Sequence, residues 1–120
     1  MSSLVSPDNG TVFDFDRLGN ELRAEDAYER TGQMARTLVH TLDLRIVVIA
    51  LRAGKTISEH DANVTASVHA LSGHLSLKLP DQVVDLKTGQ LLALGAGLKH
   101  DVSAVEDSVF VLTLGWQSKS

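Results

Sequence analysis

An all-β sandwich or barrel is the fold class predicted for this 120-residue chain, and three observations predict it. From Arg36 onward, short β-branched or alternating segments follow one another. Turn signals separate them every five to twelve residues. No helical period interrupts that run. The length suits one domain with one core. With 43% apolar residues and few aromatics (Phe13, Phe15, Tyr28, Phe110, Trp116), that core has to be aliphatic.

In chain order, residues 1–35 are expected to form an N-terminal arm, 36–116 the barrel and 117–120 a tail. Within the arm "TVFDFD" alternates, which predicts a short edge strand. The charged stretch after it offers Leu18, Leu22 and Tyr28 as its few apolar residues, and is expected to lie on the body as irregular or weakly helical chain. "RTLVHT" and "LRIVVIAL" then read as strands. The second is apolar on both faces, so one face fills the barrel and the other needs a cover. The arm or a second copy of the chain could supply it, and a homodimer is the expectation. Trp116 is a candidate for the same surface. "VTASVHAL" follows a turn at His60. "HLSLKL" places Leu75, Leu77 and Leu79 on one face and His74, Ser76 and Lys78 on the other. "QVVDL", "QLLALG", "HDVSAV" and "SVFVLTLGW" complete the set. Ala53-Gly54, Ser72-Gly73, Pro80-Asp81, Thr88-Gly89, Gly95 to Gly97 and Glu106-Asp107 punctuate it.

Composition narrows the function classes. A formal charge of −4 without a Lys/Arg cluster argues against nucleic acid and anionic membranes as partners. No cysteine means no disulfide, thiolate metal site or thiol nucleophile. Neither a signal-peptide pattern nor an apolar run approaching ~20 residues is present, so a cytoplasmic protein is expected. There is no nucleophile elbow, phosphate-binding loop or glycosidase-like acid pair.

Two glycine-framed stretches carry the chemistry: "GKTISEHDANVTASVHALSG" and "GQLLALGAGLKHDVSA". Together they resemble the motifs of the cupin superfamily, over residues ~36–116. That resemblance implies an antiparallel double-stranded β-helix, the RmlC-like jelly roll. Gly54, His60 and Gly73 match the first motif, while its second histidine falls on Ala62 and its glutamate on Ala66. Gly89, Gly97 and His100 match the second, with Gly95 in place of proline and Ala104 in place of asparagine. The resemblance thus implies a degenerate ligand set in which His60 and His100 alone survive. Two imidazoles hold a divalent ion such as Zn, Mn, Fe or Ni weakly, so a metal is expected to be weak or absent.

Other donors are poorly placed. Glu59 and Asp61 flank His60 and alternate to the opposite face unless a bulge redirects one; Asp101 stands in the same relation to His100. Strict alternation sends His69 away from the pocket and His74 to solvent, while His40 is open in direction. The aliphatic lining expected around His60 and His100 is Val64, Ala66, Val68, Leu92, Leu94 and Val102, with Ala62 at the lost-ligand position. Two readings follow for the histidines: hydrogen-bonded polar groups in an apolar cavity, or ligands of a weakly held metal. Three functions compete accordingly. The chain is a small-molecule binder, a metal-dependent or histidine-based enzyme (oxygenase, isomerase or lyase), or an interaction module; the scarcity of pocket carboxylates favours the first.

Overall fold

The structure is a computed structural model that describes residues 7–60 and 63–115, with Glu59 and His60 described in the backbone only. Two short helices precede nine strands: α1 (Phe15–Arg23), α2 (Asp26–Thr31), β1 (Gln33–His40), β2 (Leu44–Leu51), β3 (Thr56–His60), β4 (Ala66–Ser72), β5 (His74–Lys78), β6 (Val83–Lys87), β7 (Leu91–Leu94), β8 (His100–Ala104) and β9 (Ser108–Gly115). The strands form a five-stranded sheet in the order β1-β2-β9-β4-β7 and a four-stranded sheet in the order β3-β8-β5-β6. Every pairing is antiparallel. From β2 to β5, and again from β6 to β9, the chain crosses between sheets at each step. That is the double-stranded β-helix that the resemblance implies, within the all-β class expected from the strand spacing.

Alternation decides what each sheet buries. In β4, Ala66, Val68 and Ala70 are buried while Ser67, His69 and Leu71 are half-exposed. The inner core joins these to Val47, Ile49, Leu51, Leu75, Leu77, Leu94, Val102 and Phe110. It is aliphatic apart from Phe110, which is 1% exposed.

A second core lies on the outer face of the larger sheet, where Leu22 and Tyr28 of the helices pack with Leu38, Val48, Ala50, Val109 and Val111. The cover required by the doubly apolar β2 is therefore the chain's own arm. This removes the reason given for a second copy. The expected edge strand over "TVFDFD" is not formed: residues 11–14 carry no strand and residue 15 opens α1. Asp14 caps that helix, accepting a hydrogen bond from the Arg17 backbone N–H at 3.2 Å, a role that outweighs a two-residue alternation. Gly32, at φ 75°, ends α2 in the left-handed conformation.

Charged contacts fix the arm. Arg36 of β1 donates to Glu21 at 2.7 Å and lies 3.6 Å from Glu25. Arg52 donates to the carbonyls of Tyr28 and Glu29 at 2.9 and 3.1 Å and lies over the Tyr28 ring. The Arg36 hydrogen bond holds the Glu21 carboxyl below the usual carboxylate range. Its contribution is present at neutral pH and is lost as pH falls through that lowered value. Burial raises the pKa of the Tyr28 phenol. The apolar part of the seal matters more. Leu22 is fully buried, so Leu22→Ala is expected to cost about 2–5 kcal/mol in urea denaturation. A loss below about 1 kcal/mol would mean that α1 is not docked as described.

Candidate functional site at one end of the barrel

Because consecutive strands run in opposite directions, the segments 41–43, 63–65, 79–82 and 95–99 gather at one end of the barrel. The segments 52–55, 88–90 and 105–107 gather at the other, with Gly73. The first end is the mouth, and the C-terminus of β3 and the N-terminus of β8 both reach it. There His60 and His100 are direct register partners, beyond an irregularity between Ile57 and His60. The residues expected to be a turn at His60 are thus a strand, β3, whose polar sequence carries no apolar alternation. The bulge anticipated beside His60 exists in the backbone.

His100 shares its face with Val102 and Ala104, both buried in the inner core. Its Nδ1 lies 3.0 Å from the Leu98 carbonyl oxygen. A carbonyl only accepts, so Nδ1 carries the hydrogen and the neutral ring keeps its lone pair on Nε2. The imidazole is held in one tautomer by the chain just before its own strand. Beside it lies a pocket of about 240 Å³ lined by Lys78, Leu79, Pro80, Lys99, His100 and Asp101. Asp101 faces the other way, opposite Lys78 in register, with Oδ1 buried and without a hydrogen-bond partner.

The larger sheet supplies the facing wall. Ala66 stands between Leu94 and Leu114 in register, and Val68 between Leu92 and Leu112 one row deeper. Ala66, Val68, Leu94 and Val102 are buried and Leu92 packs against them, so all five expected lining residues in strands lie on the inner face. Val64 is half-buried and precedes β4. Ala62 and Trp116 lie outside the described residues. His69 is on the outer face, opposite Leu91 and Val111, as alternation required. His74 is on the outer face of the smaller sheet with Nε2 3.1 Å from Asp85. His40 is exposed and opposite Arg45.

Arg45 is the mouth residue that the sequence reading missed. It shares a face with Val47, Ile49 and Leu51, all in the inner core, and lies opposite Leu114. The signal was present in "LRIVVIAL", where the arginine alternates with the barrel-filling set, but the strand was read as apolar throughout.

A transition metal needs at least three converging ligands. Among the described residues no three His, Asp or Glu side chains come together in that way. The described donors therefore do not fit a metal centre, and Ala66 fills with a methyl group the inner-face position where the motif implies a carboxylate.

Comparison with known proteins agrees with the geometry. No protein-family model matches the chain, and no curated protein matches it in sequence. Among solved structures it is similar to a conserved protein of unknown function from Streptococcus pyogenes, at 28% identity and a TM-score of 0.76, covering 99% of this chain and 98% of that one. A cupin superfamily protein from Desulfitobacterium hafniense superposes with a TM-score of 0.70 at 16% identity, over 72% of this chain and 80% of that one. KdgF from a Halomonas species gives 0.66 at 18%, over 97% and 96%. Fold and strand order thus define a double-stranded β-helix protein. More particularly, this is a small barrel of the RmlC-like cupin fold. No described helix is long and apolar enough to cross a membrane.

Proposed function

We infer that the protein binds a small molecule at the mouth, between His60 and His100 and the aliphatic wall of Ala62, Val64, Ala66, Val68, Leu92, Leu94 and Val102. One observation carries this reading: His100 is a placed polar group on a mostly apolar inner face, with its tautomer set by the Leu98 carbonyl. Mostly apolar walls with a few oriented polar groups are what small-molecule sites are made of. We place the protein in the cytoplasm, without nucleic acid or membrane as partners. A homodimer would now need a different interface, such as the edge strand β7 with its exposed Leu91, and light scattering at micromolar concentration measures it.

The same observation supports a second reading, a metal-dependent cupin enzyme. An imidazole oriented by a backbone carbonyl is also how proteins present a histidine to a metal. That reading needs His60 and a third ligand beside His100.

A thermal-shift screen of small metabolites against wild type, His60→Ala and His100→Ala tests the first reading. His100→Ala is expected to keep Tm within a few degrees of wild type, because His100 is half-buried and outside the packed core, and His60→Ala is expected to do the same. A compound that stabilises wild type by mass action should lose most of that effect in both. Full retention of the shift in both variants would place the site elsewhere.

A further inference from the structure

We propose that Arg45 anchors the carboxylate of a small organic acid at the barrel mouth. This deepens the binding reading above and rests on it.

Position comes first. β2 pairs with β9 without irregularity, so Arg45, Val47, Ile49 and Leu51 face inward while Leu44 and Ile46 pack on the outer core. Arg45 lies in a row that runs from the exposed His40 of the edge strand β1 through Leu114, Ala66 and Leu94. A barrel built only for stability would place an aliphatic side chain here. Instead the Nε of Arg45 is buried and has no hydrogen-bond partner among the described residues.

The other arginines of this sheet region behave differently. Arg36 is engaged by Glu21 and Glu25, and Arg52 by the carbonyls that end α2. Their charge serves the docking of the arm. Among the described residues the Arg45 Nε has no such partner: beside Arg45 in register stand the exposed His40 on β1 and Leu114 on β9, and Ala66 and Leu94 extend the row with apolar groups. A buried donor left without an acceptor destabilises the fold, so a ligand that supplies the acceptor is bound with that penalty relieved.

The chemistry of the guanidinium then selects the ligand. Its planar fork matches the two oxygens of a carboxylate, and a charge-assisted bidentate pair is strong where water is scarce. A phosphate dianion would call for further cations on the inner side of the fork, and Leu114, Ala66 and Leu94 supply none there, while His40 stands exposed on the edge strand. Facing sheets stand ~10 Å apart, so an acid of a few carbons held at Arg45 reaches Nε2 of His100 with its other end. Arg45 fixes the anion, the aliphatic wall takes the body, and His100 reads the far polar group.

Acetate, succinate and benzoate, with succinamide and benzamide as neutral matches, are titrated into ¹⁵N-labelled protein. The Arg45 Nε–H and the amides of Arg45, Leu114 and His100 are followed. At least one acid should shift these signals saturably while its amide does not. Arg45→Gln should weaken that acid by tenfold or more, and Arg45→Lys should also weaken it, since it keeps the charge and loses the fork. Arg45→Leu should raise Tm, because it removes an unpartnered donor from an apolar row. The proposal is overturned if none of the three acids binds, if acid and amide bind alike, if Arg45→Gln binds as wild type does, or if Arg45→Leu lowers Tm. Amides that move His100 in wild type and in Arg45→Gln alike would sink the carboxylate anchor and leave mouth binding standing. Five probes that all leave His100 unmoved would count against both.

Discussion

Gly73→Val is expected to cost the protein about 2–6 kcal/mol of stability. Gly73 sits between β4 and β5 with φ at 89°, a backbone region that a β-branched residue does not tolerate. A Cβ there would also collide with the Ser108 Oγ and the Asp107 carbonyl oxygen, and would come within 2.8 Å of the Ser108 Cα. None of these can retreat. Ser108 is 2% exposed, and its Oγ accepts from the His74 backbone N–H at 3.0 Å while lying 2.8 Å from the Glu106 carbonyl. Backbone strain costs about 1–3 kcal/mol and overpacking about 1–3 kcal/mol more. Against the roughly 5–15 kcal/mol of a typical domain, that removes much of the stability. Gly54 separates the two causes: its φ is 86°, yet nothing lies within 4 Å of a Cβ built there. Urea denaturation should therefore show Gly54→Val losing only the backbone part. Equal losses at the two glycines would contradict the packing described at Ser108.

The paired change Ala62→His with Ala66→Glu is expected to have the largest effect on chemistry. Ala66 is 6% exposed and flanked by Leu94 and Leu114, so a carboxylate there is desolvated. Without metal, the doubly substituted protein should be less stable than wild type. With Zn or Mn the order should reverse, since the new groups join His60 and His100 in a four-donor set. At free metal about 100-fold above Kd, binding returns about 2.7 kcal/mol. Metal-dependent Tm and isothermal titration read both halves. If metal leaves the double variant unstabilised, the mouth geometry inferred from the His60–His100 register is wrong.

Much of the fold was legible because the buried strands repeat with period two. "LRIVVIAL" became β2 over the same residues, and "HLSLKL" and "VTASVHAL" kept the predicted inner and outer sets. Where polar residues form structure, that signal fails. β3 is "TISEH", a strand because β8 pairs with it rather than because its own residues alternate. The helices of the arm depend on one side-chain cap at Asp14 and on Leu22 meeting a surface far along the chain, neither of which a period reports. The inner-face placement of Ala66, Val68, Leu92, Leu94 and Val102 agrees with alternation. The inward-facing Arg45 was not legible: one arginine in a run of eight residues looked like an exception, and only the register across β9 and β4 puts it in one row with Leu114 and Ala66.

Metal content decides between a binding site and a metal centre most directly. Protein purified without added metal is analysed by inductively coupled plasma mass spectrometry, with His60→Ala and His100→Ala alongside. The mouth described here, with Ala66 on the inner face and no three donors together among the described residues, predicts far less than one equivalent of transition metal per chain in all three proteins. One equivalent of Zn, Mn, Fe or Ni in wild type, lost in both variants, would contradict it and make the site a metal centre.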